Sequence, residues 1–321
     1  MSAQRILVTG GAGFIGSHLA RRLVAEGHKP HVLHRPRSDL GRLADIAAST
    51  HFWACDLADD KTLAAVLDTV HPEVIYHLAG DTSVRHIDPS LAGVAASIER
   101  NVRAPINLVV AAQSHCRDLK ILIRVGGLEE YGRGSVPYVE SQREQPVSPY
   151  SASQVAVTHY LQMLVPYLRF RAITVRPALI YGPDQSTQFF IPALIDHCLK
   201  GQDFSMSSGN QGRDLLYIDD LIDALLLLLN RPLASGEIVN IGTGHEYIMS
   251  EVAANVIRLM ESDIQLRKGA PTRPSEIEHL YCSAEKAVTL LNWRPTIDLD
   301  TGLGRTIAWF RARHPTSSAE R

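Results

Sequence analysis

The chain lacks any long hydrophobic run, although 45% of its 321 residues are hydrophobic. Its longest purely apolar stretch runs from Ala224 to Leu229, whereas a membrane-spanning helix needs about 20 apolar residues. The N-terminus shows no basic segment followed by a long apolar region, which is the pattern of a secretory signal. These absences predict a cytoplasmic protein with no membrane partner.

An excess of charge of one sign is also missing, because the formal net charge is only −2 at pH 7. Proteins that bind nucleic acid or anionic membranes usually carry a basic patch or a basic run. The composition therefore argues against a nucleic-acid partner and favours a small-molecule ligand.

Cysteine is scarce, and no CxxC pair occurs among the four that are present: Cys55, Cys116, Cys198 and Cys282. Their spacing suggests neither a zinc site nor a disulfide framework, so we expect reduced and mostly buried thiols. His28, His31 and His34 repeat every third residue, but they lie across a turn and a predicted strand, where alternate side chains point to opposite faces. No metal site is predicted.

What the chain does contain is a regular alternation of short β-branched runs and longer amphipathic segments, from Gln4 to about Arg176. This pattern is typical of βαβ units, and it predicts an α/β fold with a doubly wound parallel Rossmann sheet. The predicted strands are Arg5–Thr9, Pro30–His34, His51–Ala54, Val74–Leu78, Lys120–Val125 and Ala172–Arg176. The predicted helices lie near Phe14–Glu26, Asp60–Val70, Leu91–His115 and Tyr150–Leu168.

After Pro183 the elements become shorter and turns more frequent. We predict a dinucleotide-binding domain over residues 1–183, a smaller substrate-binding lobe over 184–315 and a loose tail over 316–321. The chain is expected to cross back to the first domain near residues 214–245. The elements predicted in this half are a strand at Glu237–Ile241 and helices near Asp219–Leu229, Met249–Met260 and Asp300–Arg313.

A glycine-rich turn joins the first strand to the first helix, with the spacing GxxGxxG. One glycine permits the tight turn, one lets the backbone approach a pyrophosphate, and one lets the helix pack closely on the strand. The helix N-terminus that follows favours the phosphate charge. The residues predicted to bind a dinucleotide here are Gly10, Gly13, Phe14, Ile15 and Gly16.

Two further loops follow predicted strands at the same edge of the sheet. Asp56 and Leu57 come after the third strand, and Leu78, Ala79 and Gly80 come after the fourth. From these positions the loops could contact the adenine and the nicotinamide ribose of a bound dinucleotide.

The end of the second strand discriminates between the two nicotinamide cofactors. NAD enzymes commonly place an acidic residue there, but this chain has His34, followed by Arg35 and Arg37. Guanidinium groups suit a 2′-phosphate, so the sequence favours NADP over NAD. The alternative is that the two arginines belong to a solvated loop.

Further motifs appear in order along the chain: His77–Gly80, Asn101–Leu108, Tyr131–Gly132, Ser148–Ser153, Arg176–Pro183, Arg213–Asp220, Asn240–Gly244, Arg273–Pro274 and Leu291–Pro295. With the glycine turn, they resemble the extended short-chain dehydrogenases/reductases, in particular the sugar-nucleotide epimerase/dehydratase/reductase group, over nearly the whole chain. The resemblance implies a nicotinamide cofactor and a nucleotide-linked sugar as substrate. By analogy with many relatives, it also implies a homodimer built on the helices near Leu91–His115 and Tyr150–Leu168.

In that family, the tyrosine of a YxxxK motif exchanges a proton with the sugar. The lysine binds the nicotinamide ribose and lowers the tyrosine pKa, and a serine or threonine positions the substrate oxygen. The positions that match by resemblance are Tyr150, Gln154 and Gly127, of which Tyr150 and Gln154 would also contact the cofactor. Only the tyrosine is retained.

Gln154 carries no charge and cannot stabilise a tyrosinate as an ammonium group would. Tyr150 is therefore expected to keep a pKa of about 10 and to donate a proton rather than accept one. This favours an NADP-dependent 4-ketoreductase. The alternatives are an epimerase or dehydratase that retains its cofactor and uses another base, and a catalytically impaired binding protein.

The resemblance also implies residues on the substrate side. Ser83 lies in a loop that lines the site in relatives, and Arg213 and Arg273 match positions that hold the nucleotide and its pyrophosphate. Glu129 matches the glutamate of the dehydratases, but Leu128 replaces the neighbouring aspartate, which argues against dehydration by the usual machinery.

Arg124 is unusual because it is a charged residue in a predicted buried strand. Such a charge needs a partner, and Glu129 and Glu130 are the candidate carboxylates. Two interpretations are open: Arg124 forms a structural ion pair, or it supplies the positive potential that Gln154 lacks.

Overall fold

The computed structural model describes residues 4–84, 91–231, 233–271 and 276–313. The strands are β1 (Ile6–Thr9), β2 (His31–His34), β3 (His51–Ala54), β4 (Val74–His77), β5 (Ile121–Val125), β6 (Arg171–Pro177), β7 (Leu179–Tyr181), β8 (Phe204–Met206), β9 (Gly212–Arg213), β10 (Leu215–Tyr217), β11 (Ile238–Ile241), β12 (Tyr247–Ile248), β13 (Leu266–Lys268) and β14 (His279–Leu280). The α-helices are α1 (Phe14–Ala25), α2 (Asp60–Val70), α3 (Ala92–Ile98), α4 (Ala104–His115), α5 (Pro149–Leu164), α6 (Phe190–Lys200), α7 (Ile218–Leu227), α8 (Met249–Met260), α9 (Glu285–Leu291) and α10 (Leu299–Arg313).

A seven-stranded sheet in the order β11-β6-β5-β4-β1-β2-β3 forms the centre of the molecule. Every pairing in it is parallel. All four residues of β1 and of β4 are buried, as expected for strands covered by helices on both faces. The predicted doubly wound α/β fold is confirmed.

Alternation along β1 divides the core into two layers. Ile6 and Val8 point into one hydrophobic cluster, and Leu7 points into another. Because successive side chains of a strand face opposite sides, each layer needs its own helices. The first cluster includes Leu19 of α1, and the second includes Leu108 of α4.

The helix predicted over Leu91–His115 is interrupted. Helix α3 ends at Ile98, a π-helical turn spans Glu99–Arg103, and α4 begins at Ala104 with Pro105 in its first turn. Proline has no N–H to bond the carbonyl one turn earlier, so the change of helical geometry coincides with the residue that breaks the hydrogen-bond ladder.

The helix predicted over Tyr150–Leu168 ends earlier than its sequence pattern suggested. Helix α5 ends at Leu164, and a 3₁₀ turn over Val165–Tyr167 contains Pro166. The proline ring and its missing N–H again explain the end of the regular helix. The other predicted helices and strands agree with the structure to within one or two residues at each end.

The second half of the chain contributes to the same core as the first. Strand β11 pairs with β6 in the central sheet. Val8, Leu216 and Phe310 all belong to the first cluster. The remaining strands form small sheets in the orders β10-β7, β12-β9-β14 and β13-β8. The division into lobes at residues 183 and 315 stays a prediction.

All four cysteines are free and buried, as expected. Within the described ranges, no helix is both long and apolar enough to cross a bilayer.

Candidate active site

The glycine turn lies at the carboxyl edge of the sheet, between the neighbouring strands β1 and β4. The connections from these two strands run to opposite sides of the sheet, and such a reversal opens a crevice in which α/β proteins bind ligands. Gly10 follows β1 and donates its N–H to Leu33 O (3.2 Å), while Leu78 follows β4 and donates to Thr9 O (3.1 Å). The two loops predicted to contact the cofactor are therefore adjacent.

Gly10 fits its position only because it has no side chain. Its φ is +69°, and a Cβ added there would lie 2.6 Å from the backbone nitrogen of Ala79. Gly16 is equally restricted, because its Cβ would collide with the carbonyl oxygen of Gly10. The turn thus brings the backbone of β1, the β4 loop and α1 into direct contact, as a pyrophosphate cradle requires.

Helix α1 begins at Phe14, with Gly13 at its N-cap and no side chain capping it. Its first-turn N–H groups include those of Phe14 and Ile15, and the helix dipole adds a partial positive charge at this end. No acidic residue occupies the first turn. These features fit the phosphates of a dinucleotide, so the residues predicted for this part of the site do lie together.

The end of β2 carries the residues predicted to select the cofactor. The His34 ring is half-buried and its Nδ1 lies 2.9 Å from Arg35 O, while Arg35 and Arg37 are exposed. Both arginines are next to the strand that borders β1, so they are available to a ligand that extends over β2.

The remaining predicted cofactor loops differ in exposure. Asp56 is exposed and its Oδ1 accepts the Ala58 N–H (3.0 Å), whereas Leu57 is buried. Ala79 is half-buried, and Gly80 is exposed. The loop after Gly80 is held by the buried Asn101, whose Oδ1 accepts the Asp81 N–H (2.7 Å).

His77 is the last residue of β4, and its role in the site is not predicted by the sequence motifs. Its Nδ1 lies 2.7 Å from Thr9 Oγ1. Burial, and next the positive charge of Arg124, lower the pKa of His77 to about 3. The imidazole is therefore neutral at physiological pH and ties the ends of β1 and β4 together.

Tyr150 and Gln154 lie in the first turns of α5. Ser148 caps this helix by accepting the Ser151 N–H (3.1 Å), and Pro149 occupies the first helical position, where its missing N–H costs nothing. Residues spaced by four positions share a helix face, so Tyr150, Gln154 and Thr158 form one row. Tyr150 is half-buried, while the other two side chains are buried.

The side chain of Arg124 in β5 contacts this row of α5 from the side of the sheet. Its Nη1 donates to Thr158 Oγ1 (2.7 Å), and its Nη2 donates to Gln154 O (3.0 Å) and also to Gln154 Oε1. The side chain is only 2% exposed. Burial lowers the pKa of Arg124, while Glu130 and Tyr150 act in the opposite direction. A cation is thus present beside Gln154, but it belongs to Arg124 of β5 and not to a residue of α5.

Glu130 is a carboxylate partner of Arg124, as predicted, but its carboxylate lies closer to Arg176 than to Arg124. Its Oε1 lies 3.5 Å from Arg124 Nη1, whereas its Oε2 lies 2.7 Å from Arg176 Nη2. Arg176 also pairs with Glu144 at 2.7 Å. Although burial opposes it, Glu130 and Tyr131 raise the pKa of Arg176. Arg176 therefore attracts two carboxylates, and Arg124 shares one of them.

Gly127 occupies the position of the family's serine or threonine. It precedes a 3₁₀ turn over Leu128–Glu130, and a Cβ added to it would lie 2.5 Å from Glu129 Oε2. Leu128 is fully buried, whereas Glu129 is half-buried and interacts electrostatically with Arg213. A hydroxyl-bearing side chain at 127 would require Glu129 to move, so these two positions are coupled.

Arg213 lies in β9 and is held by several acceptors. It pairs with Glu276 at 2.7 Å and donates to the carbonyl oxygens of Gly212 (2.7 Å) and Glu278 (3.1 Å). Its guanidinium thus contacts one carboxylate and two backbone carbonyl oxygens, and Glu129 also interacts with it electrostatically. Arg273, the other arginine predicted on the substrate side, lies outside the described residues.

Ser83 is exposed and lies in a 3₁₀ turn over Thr82–Val84. Its N–H donates to Asp81 Oδ1 (2.9 Å), and Asp81 pairs with Arg100 at 2.6 Å. Within the described ranges, no cluster of three histidine, cysteine or acidic side chains is arranged to hold a metal ion.

Comparison with known proteins decides the family. A family model described as the NAD dependent epimerase/dehydratase family matches residues 6–242. The chain belongs to this family. Its extended short-chain dehydrogenase character was predicted from the motifs and is confirmed, as is its assignment to a class of nicotinamide-dependent enzymes.

Relatives in the family differ in their reactions. A dTDP-D-glucose 4,6-dehydratase from Homo sapiens is 30% identical, over 96% of this chain and 90% of that protein. A putative UDP-glucose 4-epimerase from Methanocaldococcus jannaschii is also 30% identical, over 97% of this chain and 100% of that protein. Sequence similarity alone therefore does not choose between the two activities.

Solved structures of the family superpose over nearly the whole chain. UDP-glucose 4-epimerase from Thermotoga maritima, solved with UDP-glucose, gives a TM-score of 0.88 at 25% identity and covers 96% of this chain and 99% of its own. A dTDP-glucose 4,6-dehydratase from Streptomyces venezuelae, solved with NAD, gives 0.87 at 28% identity, over 96% and 97% of the two chains.

Proposed function

We propose that the chain is a sugar-nucleotide epimerase that retains its nicotinamide cofactor and acts at a hydroxyl-bearing carbon of the sugar. The proposal rests on the observation that two features of the site lie at the same edge of the sheet. These are a glycine cradle that leaves no room for side chains and the half-buried Tyr150 above a buried guanidinium. The family contains epimerases among its members of similar length.

When bound, the cofactor would supply the acceptor and donor of a hydride. The residues that would hold it are the backbone of Gly10 to Gly16, the loop from Leu78 to Gly80, and Gln154. Tyr150 would exchange the proton of the sugar hydroxyl. An epimerase must oxidise an alcohol before it reduces the ketone, so Tyr150 has to act as a base as well as an acid.

A 4-ketoreductase that consumes NADPH is the second candidate. It was favoured by the neutral Gln154, which on its own leaves Tyr150 a proton donor. Arg124 weakens that reason, because its guanidinium contacts both the carbonyl and the side-chain oxygen of Gln154. Gly127 weakens this candidate further, since an oxyanion that forms during ketone reduction would have no hydroxyl there to meet it.

Dehydration is the least supported of the family's reactions. Leu128 is fully buried at the position of the aspartate in the dehydratases, and only Glu129 of the acidic pair is retained. An apolar side chain cannot exchange a proton with the substrate.

NADP rather than NAD is proposed as the preferred cofactor. The support is the exposed Arg35 and Arg37 directly after β2, together with the absence of a carboxylate at His34. The neighbour solved with NAD shows that the fold accepts the cofactor without a 2′-phosphate.

The proposed substrate is a nucleotide-linked hexose. Arg213, Arg273, Glu129 and Ser83 are the residues proposed to contact it. Arg213 is paired with Glu276, so a pyrophosphate would have to compete with that carboxylate for the guanidinium.

A homodimer is proposed on α3, α4 and α5, and a cytoplasmic location stays a prediction. Exposed large hydrophobic side chains are concentrated on or beside these helices, which supports an apolar contact between two copies: Leu91, Val94, Ile98, Val110, Tyr160, Met163 and Tyr167.

The test is to incubate the purified protein with UDP-glucose, with dTDP-glucose and with a nucleotide-linked 4-ketosugar, each without added cofactor, with NAD⁺ or NADP⁺, and with NADPH, and to analyse the sugars by NMR. Appearance of the 4-epimer without added cofactor would support the epimerase. NADPH oxidation at 340 nm with a 4-ketosugar, and none with the alcohols, would support the ketoreductase. A protein that binds NADPH but changes none of these compounds would refute both.

A further inference from the structure

The face of α5 that carries Tyr150 rests on a buried positive charge. Arg124 donates to Gln154 and Thr158, which follow Tyr150 by one and two helical turns on the same face. Its guanidinium is close enough to Tyr150 for the two groups to interact electrostatically. It approaches from the sheet side, whereas a lysine at 154 would approach along the helix.

The charge of Arg124 is less neutralised than that of its neighbour Arg176. Arg176 makes 2.7 Å ion pairs with both Glu130 and Glu144. Arg124 has one longer contact, 3.5 Å to Glu130, and its other acceptors are the neutral oxygens of Gln154 and Thr158. Glu130 Oε2 also accepts the hydroxyl of Thr158 in α5 (2.8 Å) and so partly offsets the charge of Arg124, whereas the Gln154 oxygens that Arg124 contacts on the Tyr150 face carry no charge.

The same contact fixes the orientation of the Gln154 amide. A guanidinium has donors only, so the amide oxygen must face Arg124. The amide NH₂ is then the end that can donate to an oxygen of a ligand in the site. This is the contact that a lysine ammonium would make with a ribose hydroxyl.

We propose that Arg124 is a positioning residue that replaces, from strand β5, the positive charge that Gln154 lacks, so that Tyr150 can accept a proton from the substrate. The inference rests on the proposed function for the identity of that substrate. In the step concerned, the O–H bond of the sugar hydroxyl breaks, the O–H bond of Tyr150 forms, and the negative charge passes from the phenolate to the sugar oxygen. The return step reverses each change.

Other charged groups surround the pair and enter the argument. Glu130 lies in the 3₁₀ turn after β5, Glu144 precedes α5, Arg176 comes from β6, and His77 ends β4. His77 is neutral because burial lowers its pKa to about 3. The two carboxylates oppose the effect of Arg124 on Tyr150, and Arg176 reinforces it.

The test is a pH titration of Tyr150 in the cofactor-free protein, followed by NMR of tyrosine labelled with ¹³C at Cζ. Tyr150→Phe identifies the resonance. An opposite charge within a few ångströms lowers a pKa by roughly 1 to 3 units, so we expect Tyr150 to titrate well below about 10. A value at or above 10 in the unaltered protein would overturn the inference, and this measurement needs no Arg124 variant to fold.

Two variants separate charge from packing. Arg124→Met, which keeps the length of the side chain, should raise the pKa of Tyr150 by roughly 1 unit or more. The double variant Arg124→Met/Gln154→Lys should lower it again. A purely structural Arg124 would change stability while leaving the Tyr150 titration in place in Arg124→Met, and that result would also overturn the inference.

Neither titration requires turnover or knowledge of the sugar. A failure of the proposed epimerase therefore shows in the product analysis, and a failure of the Arg124 inference shows in the Tyr150 titration.

Discussion

Two regions lie at the same edge of one sheet, yet they depend on different parts of the chain. The nucleotide cradle comprises residues 10–16 and 78–80, and the catalytic corner comprises Arg124, Glu130, Tyr150, Gln154 and Thr158. The cradle is made by backbone atoms, and its requirement is the absence of Cβ atoms at Gly10 and Gly16. The corner is made by side chains that converge from β5, α5 and the turn between them. The cradle retains the family pattern, while the corner retains only Tyr150.

The difference shows which kinds of function can move within a fold. A close backbone approach cannot be supplied from elsewhere, because only glycine at that position leaves the space. A positive charge can be delivered from another strand if its side chain is long enough, as Arg124 is. Loss of a family lysine therefore does not establish loss of its effect.

The largest expected effect concerns the corner. Tyr150→Phe removes the only family catalytic group that is retained, and positioned acid–base groups contribute roughly 10²- to 10⁴-fold to rates. We expect kcat to fall by about that factor, while the Kd for the dinucleotide changes only a few-fold. Steady-state kinetics and fluorescence titration with NADPH would measure the two quantities. An unchanged kcat would mean that the chemistry occurs at another group.

The next effect concerns the cradle. Gly10→Ala forces a Cβ to within 2.6 Å of the Ala79 nitrogen at a φ of +69°. We expect the Kd for the dinucleotide to rise by at least about tenfold, equivalent to about 1.4 kcal/mol. Isothermal titration calorimetry measures it.

Gly27→Ala is the matched control, because Gly27 has a φ of +87° and no atom within 4 Å of an added Cβ. It should carry similar backbone strain but leave the Kd unchanged. Equal effects of the two substitutions on binding would show that the close approach at Gly10 has no role.

The two regions meet at His77, which contacts Thr9 and is affected by Arg124. Its pKa is about 3 in the folded chain and about 6.5 when unfolded. The unfolded state therefore binds the proton first, and the stability present above pH 6.5 is lost as the pH falls towards 3. At pH 4.5 the loss is about 3 kcal/mol from this residue alone.

Urea unfolding at pH 7.5 and 4.5 would measure the change. His77→Asn should lose less stability on acidification than the unaltered protein. The same acid loss in His77→Asn would contradict a buried, neutral His77.

The smallest effect lies at the rim of the cradle. Arg35→Ala should raise the Kd for NADPH by about tenfold, since a charge-assisted hydrogen bond contributes roughly 1.5 to 3 kcal/mol when it is well formed. The Kd for NADH should not change. Tighter binding of NADH than of NADPH by the unaltered protein would contradict the proposed preference.

The sequence predicts the cradle better than the corner, for physical reasons. Strand and helix periodicity located the central sheet and its flanking helices, and the glycine spacing located the turn, because both depend on local backbone geometry. The 3₁₀ helix over Gly41–Ser49 and the short strands of the second half escaped prediction. They have few residues in which a periodic pattern could be recognised.

The corner was predicted only in part. Arg124 stood out as a charge in a buried strand, and Glu130 was one of its two candidate partners. That Arg124 contacts Gln154 depends on how β5 packs against α5, some 30 positions along the chain. The roles of Arg176, Glu144 and Thr158 depend on the same packing. No spacing pattern in the sequence predicts the packing of β5 against α5.

This altered corner is proposed to perform redox chemistry on a nucleotide-linked sugar. The most direct test is to mix the protein, loaded with one equivalent of oxidised cofactor, with excess UDP-glucose or dTDP-glucose and to follow absorbance at 340 nm in a stopped-flow instrument. We expect a transient rise from reduced cofactor that disappears in Tyr150→Phe. No rise with either sugar, from a protein shown to bind both cofactor and sugar nucleotide, would contradict it.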